Sequence, residues 1–265
     1  MTRPLITAVL AFASLAFAEF PPDKSRPCFP GAIYRKAVSS VDAWTGIDAV
    51  VTLPTFVPDQ TRLRPTGRPA DNCSVYFGGR AGNTEIDAGV LWEVIRQPDG
   101  SVSKVGKAYR PFWRNKKWFN APAEAQYYYD PGDTIRVRVW TDAPDKLKMQ
   151  IDLIARRGEP IDHRRPPIST LSVDFDAPGF GPGRMQEFKR VTAIDQAGNE
   201  GKPAQPTRAR VEDCAFRSVH LLRGEERLPM TAPRFTDMRC PDHRFFTVAD
   251  STDDGGERIG IDGSR

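Results

Sequence analysis

The chain has 265 residues, of which 39% are apolar and 27% charged, and its formal net charge is +4. This composition excludes a polytopic membrane protein, a collagen-like chain and a wholly disordered one. The small net charge is not typical of nucleic-acid-binding proteins, so we expect no nucleic-acid partner. The 24 Pro and 21 Gly residues disfavour long helices and favour short strands joined by turns.

The N-terminus has the features of a secretory signal peptide. Arg3 precedes an apolar run from Leu5 to Phe17, which ends in the sequence Ala16-Phe17-Ala18. A short apolar core with an Ala-x-Ala ending is typical of a cleaved export signal, and the run is too short to span a bilayer comfortably. We therefore predict a signal peptide at residues 1–18, no membrane span, and a protein that is secreted or held in the cell envelope.

Residues 19–43 begin polar and rich in Pro, which predicts an extended leader. From residue 44 onward, short stretches typical of strands alternate with turn signals. The clearest stretches are 85–95, 134–140 and 146–154, where every second residue is apolar. We predict a β-sandwich domain at 44–210, C-terminal strands packed on it at 211–248, and a flexible, acidic, Gly-rich tail at 249–265.

Four cysteines remain after the predicted signal: Cys28, Cys73, Cys214 and Cys240. In an oxidising compartment an even count indicates disulfides. Three pairings are possible, and we expect Cys28–Cys73 with Cys214–Cys240 because each joins neighbouring parts of the chain. No Cys-x-x-Cys spacing occurs and there are only three His, so we expect no metal site and no cofactor.

An ordered set of motifs resembles the secreted glutamic peptidases. The motifs are WTG at 44–46, VVTLPT at 50–55, YFGG at 76–79, EIDAGV at 85–90 and PGDTIRVRV at 131–139, within a span of about 44–194. The resemblance implies an all-β fold, a two-sheet antiparallel concanavalin A-like β-sandwich of jelly-roll type. The many regularly spaced strands favour the same two-sheet architecture.

The resemblance also implies a place for catalysis. The glutamic peptidases use a Gln and a Glu on one sheet face to activate water against a peptide carbonyl. Asp87 stands where that family has the Gln, and Glu187 matches one Glu of its Glu-Trp-Ile-x-Glu stretch, whose other Glu is Val191 here. The catalytic motif is thus not preserved. Glu85-x-Asp87 also resembles half of the Glu-x-Asp-x-Glu motif of concanavalin A-like glucanases, but Gly89 replaces their acid/base.

The carboxylates of Glu85 and Asp87 are the first candidate site. Residues i and i+2 of a strand lie about 6.6–6.8 Å apart, so two ionised carboxylates would repel and raise one pKa. With Glu187 or Asp195 across the sheet, an acid/base pair becomes possible. The alternative is an ordinary solvent-facing strand.

An aromatic and basic stretch at 109–119 is the second candidate site. Aromatic rings interleaved with cations stack on sugars and bind anions; otherwise the rings pack in the core while the cations stay in water. The candidate ligand-binding residues are Tyr109, Trp113, Arg114, Trp118 and Trp140.

Taken together, these features predict a secreted or cell-surface, disulfide-stapled β-sandwich that acts as a non-catalytic binding module. Its partner would be an extracellular saccharide or an extended polypeptide. One alternative is an acid-acting hydrolase similar to the glutamic peptidases, with Asp87, Glu187 and Glu85 as its carboxylates. The other is a structural protein of an envelope or matrix.

Overall fold

The computed structural model describes residues 20–96, 102–160 and 170–265. The predicted signal peptide lies outside the described residues. Among the residues that the structure describes, no helix reaches the length and apolar character that crossing a membrane requires.

The described residues form strands and three short 3-10 turns, at Ala125–Tyr127, Ala232–Arg234 and His243–Phe245. The strands are β1 Ala32–Ser39, β2 Gly46–Thr52, β3 Thr55–Val57, β4 Asp71–Ala81, β5 Thr84–Arg96, β6 Val102–Asn115, β7 Lys117–Asn120, β8 Thr134–Trp140, β9 Lys146–Arg156, β10 Glu159–Pro160, β11 Thr170–Asp176, β12 Glu187–Gln196, β13 Arg210–Arg223, β14 Glu226–Pro229, β15 Phe235–Cys240, β16 Phe246–Ala249 and β17 Glu257–Asp262.

Two antiparallel sheets face each other. The seven-stranded sheet has the order β15-β1-β12-β4-β5-β6-β7, and the ten-stranded sheet has the path β10-β9-β8-β2-β13-β17-β16 with β11, β14 and β3 attached beside it. The main hydrophobic core, which includes Phe77, Tyr109, Val137 and Ile151, draws on strands of both sheets. The predicted all-β two-sheet sandwich is therefore confirmed.

Burial alternates with a period of two along β8, an interior strand of the ten-stranded sheet. In β8, Ile135, Val137 and Val139 are buried between exposed or half-buried neighbours, as the sequence predicts. β12 is different, because nearly all its residues are buried. It lies between β1 and β4 in the seven-stranded sheet, and its buried residues include the charged Glu187 and Lys189.

The predicted leader and the predicted tail each contribute a strand to the sheets. β1 falls within the range predicted as a leader, yet it pairs with β12 on one side and β15 on the other. β17 falls within the predicted tail, yet it pairs with β13. Ile259 and Ile261 of β17 are buried, and this apolar pair anchors the strand although the segment before it is acidic and Gly-rich.

The predicted disulfide pairings are wrong. Cys28 bonds to Cys240, with 5.6 Å between their Cα atoms, while Cys73 and Cys214 are free and buried. The cause is the pairing of β15 with β1, which places the distant C-terminal strand beside the N-terminal segment. Cys73 instead points into the core, where its Sγ lies 3.3 Å from the Tyr109 hydroxyl oxygen.

Candidate functional site

The outward face of the seven-stranded sheet carries a groove with a volume of about 670 Å³. Side chains from β1, β12, β4, β5, β6 and β7 line it. Alternation in β12 creates the floor: Phe188 and Ile194 enter the core, while Lys189, Ala193 and Asp195 face the groove. The groove thus lies on the face where the sequence places Glu85 and Asp87, and both residues line it.

Gly89 keeps the floor of the groove low. A Cβ built on Gly89 would lie 2.4 Å from the backbone oxygen of Val75 and 2.5 Å from the Cα of Tyr76. No side chain fits there without a backbone shift. The position at which the glucanase motif needs its second Glu is therefore closed by packing as well as by sequence.

The most buried charge in the groove belongs to Lys189, which is only 3% exposed. Its Nζ lies 2.7 Å from Asp87 Oδ1 and also pairs with Glu85. Lys36 Nζ approaches Glu85 at 3.3 Å. The strand register explains how Lys189 contacts Asp87 across β4. The two residues lie on either side of Gly78, which has no side chain to separate them. Paired glycines often interrupt a strand, but Gly78 and Gly79 both lie inside β4.

These contacts shift the pKa values of Glu85 and Lys189. Burial would raise the pKa of Glu85, but Lys189 and Lys36 outweigh it and hold that pKa at about 2. Burial lowers the pKa of Lys189, yet Asp87 and Glu85 more than compensate, and it is raised overall. The raised carboxyl pKa expected from two neighbouring acids does not appear at Glu85, because Lys189 lies between the two groups.

Glu187 lies on the same face of β12 as Lys189 but is held by other cations. Arg26 donates two hydrogen bonds to it, Nη1 to Oε1 at 2.6 Å and Nη2 to Oε2, and Arg80 Nε lies 3.8 Å from Oε1. In the register Glu187 is opposite Arg80, which is opposite Glu85. Asp87 is therefore two strands away and two residues further along, about 12 Å between Cα atoms in a regular sheet.

The N-terminal segment that carries Arg26 is tied down at several points. Cys28 is bonded to Cys240, the backbone N–H of Phe29 donates to the Tyr34 hydroxyl at 2.6 Å, and the Thr236 hydroxyl donates to the backbone oxygen of Asp23 at 2.5 Å. Phe29 and Tyr34 both line the groove. The segment therefore forms a fixed wall at one side of the groove.

Aromatic side chains form the opposite rim. Trp118 stacks on Phe112, with 4.5 Å between ring centroids and 2° between planes. It is 49% exposed, so its outer face is available to a ligand. Both residues line the groove, and so does Arg114.

The other aromatic candidates lie elsewhere. Tyr109 is fully buried between the sheets and donates to the backbone oxygen of Pro54 at 3.0 Å. Trp113 packs against the core and stacks on Phe119 at 5.8 Å. Trp140 belongs to β8 of the other sheet, with the Arg138 guanidinium 4.6 Å from its ring centroid. The stretch 109–119 alternates between groove and core, and the predicted binding residues include side chains on both faces.

Asp195 lies on the outer face of β12, between Ala32 of β1 and Asn72 of β4. It lines the groove and is half-buried. Burial raises its pKa to about 6, the Ser74 hydroxyl lowers it, and the Asp87 carboxylate raises it further. The pKa of this groove carboxyl therefore lies much closer to neutrality than that of Glu85. The alternation of β12 could have singled it out as a groove residue together with Lys189.

No group of three or more His, Cys, Asp or Glu within residues 20–96, 102–160 and 170–265 could hold a metal ion. The groove contains ion pairs, stacked aromatic rings and the carboxyl of Asp195.

No protein-family model matches the chain, and a search of curated proteins gave no match. Two solved structures of scytalido-glutamic peptidase with transition-state analogues resemble it, each with 9% identity and TM-scores of 0.51 and 0.52. The first alignment covers 87% of this chain and 98% of that one; the second covers 86% and 97%. A structure of SCP-B of the Eqolisin peptidase family aligns with 10% identity and a TM-score of 0.49. The chain thus has the fold of the glutamic peptidases and resembles that family distantly, as the ordered motifs predict.

Proposed function

We propose that the chain binds an extended polypeptide segment in the groove and does not hydrolyse it. The observation that carries the proposal is the ion pairing of Lys189 with Asp87 and Glu85. A carboxylate that activates water must accept a proton from it. A neighbouring ammonium stabilises the ionised carboxylate and makes it a weaker base.

Glu187, the other residue that matches the catalytic positions of the glutamic peptidases, is also paired with a cation. Both oxygens of Glu187 accept from Arg26, and the Cys28–Cys240 disulfide holds the Arg26 segment in place. Asp87 and Glu187 are therefore both paired with cations of the chain itself. This favours a binding function over catalysis.

The dimensions of the groove suit a polypeptide. Its lining runs from Tyr34 on β1 to Trp118 on β7, a distance of five strand intervals. At about 4.8 Å per interval this is about 24 Å, room for about seven residues of extended chain. The fold relative with the TM-score of 0.51 was solved with a peptide-based analogue, which supports a polypeptide rather than a saccharide.

The test is equilibrium binding of fluorescent heptapeptide pools, followed by anisotropy, with a glycan array in parallel. We expect the Trp118→Ala variant to bind about 5- to 30-fold more weakly, which is the effect of losing an aromatic anchor. Trp140→Ala is the matched control, since Trp140 lies on the other sheet. Equal affinities of wild type and Trp118→Ala, or a signal only from glycans, would remove polypeptide binding in this groove.

A second candidate function is an acid-acting hydrolase similar to the glutamic peptidases. It is favoured by the shared fold and by the placement of Asp87 and Glu187 on one sheet. The test is digestion of denatured proteins between acid and neutral pH by wild type, Asp87→Ala and Glu187→Ala. Cleavage by wild type that both variants lose would establish the hydrolase, and equal background in all three would end it.

We place this activity outside the cytoplasm. The disulfide between Cys28 and Cys240 is of a kind that persists in oxidising compartments, and the predicted signal peptide supports the same location. N-terminal sequencing of the exported protein should begin at Glu19, and a product found only in the cytoplasm with its first 18 residues attached would contradict the prediction.

A further inference from the structure

Asp195 differs from the other acidic residues of the groove in having no cation of its own. Glu85 and Asp87 pair with Lys189, and Glu200 pairs with Arg114 at 3.3 Å. In the part of the chain that the structure describes, no ion pair joins Asp195 to any Lys, Arg or His. Its polar neighbour is the Ser74 hydroxyl.

Charged groups of both signs surround Asp195. The charged groups that act on it are Asp87 from β5, Glu200 from the loop after β12, and Arg114 from β6. Arg114 is committed to Glu200. From β1, the residue opposite Asp195 is Ala32, which has no charge.

The remaining titratable neighbours do not change this balance. Tyr76 and Cys73 of β4 also interact with Asp195. Burial raises the pKa of each of them well above its usual range, so both stay neutral. A cation brought into this end of the groove would therefore meet a half-buried carboxylate that is not already paired, while Asp87 and Glu200 are paired with Lys189 and Arg114.

We propose that Asp195 selects the occupant of the groove by pairing with a cationic group, so that the preferred ligand is an extended polypeptide segment with a Lys or Arg side chain. The inference rests on the proposed function and deepens it. Asp195 is then the residue that sets the specificity of the groove, while the stacked rings and the neutralised ion pairs supply contacts that do not discriminate.

The titration of Asp195 gives the proposal a pH signature. Burial raises its pKa to about 6, and Asp87 and Glu200 act in the same direction, against Ser74 and Arg114. Only the ionised form attracts a cation, so affinity for a basic segment falls as the pH drops through 6. At pH 5 about one molecule in eleven is ionised, which weakens the affinity by about tenfold relative to full ionisation.

The test uses two heptapeptide pools with randomised uncharged flanks and blocked termini, one with a central Lys and one with a central norleucine. Isothermal titration at pH 7 and pH 5 compares wild type with Asp195→Asn, which preserves the shape of the side chain. Glu212→Gln is the matched control, because it removes a carboxylate from an exposed ion pair on the other sheet. Thermal melting shows whether each variant is folded.

We expect wild type and Glu212→Gln to prefer the Lys pool by about tenfold or more at pH 7, and to lose that preference at pH 5. In Asp195→Asn the preference should be absent at both pH values. Equal affinity of wild type for the two pools, or a Lys preference that survives in Asp195→Asn, would overturn the assignment while leaving polypeptide binding intact. No binding of either pool would overturn the proposed function itself.

Discussion

Replacing Lys189 by Met should destabilise the protein at neutral pH and much less in acid. Met keeps most of the hydrocarbon stem that packs in the groove floor but removes the charge. The variant leaves Glu85 and Asp87 without the ammonium that lies between them. Glu85 and Asp87 have Cα atoms about 6.7 Å apart in a regular strand, and without the ammonium between them their like charges repel each other.

The magnitude follows from Glu85. Its pKa falls from 4.5 to about 2 in the folded chain, where burial opposes the shift and Lys189 and Lys36 produce it. At 1.36 kcal/mol per unit this corresponds to about 3.4 kcal/mol as an upper bound. The Glu85 side chain is 51% exposed, so solvent screening reduces the contribution to about 1–2 kcal/mol.

The sign of the pH dependence is fixed by the direction of that shift. The folded pKa of Glu85 is depressed, so its stabilising contribution is present above pH 4.5 and is lost as the pH falls from 4.5 towards 2. The penalty of Lys189→Met should therefore shrink across that window. Urea unfolding at pH 7 and pH 3 measures it, with Lys36→Met as a control that should cost less than about 1 kcal/mol. A Lys189→Met penalty of equal size at both pH values would show that packing, not charge, is lost, and would refute the reasoning.

Three further predictions concern the core and the groove wall. Substituting both Cys28 and Cys240 by Ser should lower the free energy of unfolding by about 4–5 kcal/mol, because the bond closes a loop of 212 residues; a variant as stable as wild type in urea would contradict this. Gly89→Ala should cost more than about 3 kcal/mol, since its Cβ would collide with the backbone of β4, whereas Gly82→Ala, where nothing lies within 4 Å, should cost less despite its positive φ. Cys73 and Cys214, both buried and with raised pKa values, should be inert to thiol reagents in the native protein and react only after unfolding; labelling of either in the native state would show that the core opens.

The alternation of apolar and polar residues in the sequence predicted the strands that have one buried and one exposed face. β8 and β9 follow the apolar periodicity of the sequence closely, and the ordered motifs predicted the architecture that the solved structures share. β17 escaped prediction because it is short and follows an acidic stretch. The continuation of β4 through Gly78 could not be predicted, because glycine weakens a strand and often marks its interruption.

Features that depend on long-range pairing could not be read from the sequence. The Cys28–Cys240 bond follows from the β1–β15 pairing, which joins the two ends of the chain. Lys189 neutralises Asp87 because β12 and β5 both flank β4 and Gly78 leaves the space between them. The carboxylates of the candidate site were found from local spacing, but they pair with a lysine more than 100 residues away in sequence.

The most direct test of the central claim is to follow one sample for both binding and cleavage. The heptapeptide pools are incubated with wild type and with Asp87→Ala at acid and neutral pH, anisotropy records binding, and mass spectrometry records the peptide lengths. We predict bound peptides that stay intact. Shortened peptides that accumulate with wild type and not with Asp87→Ala would contradict a non-hydrolytic groove.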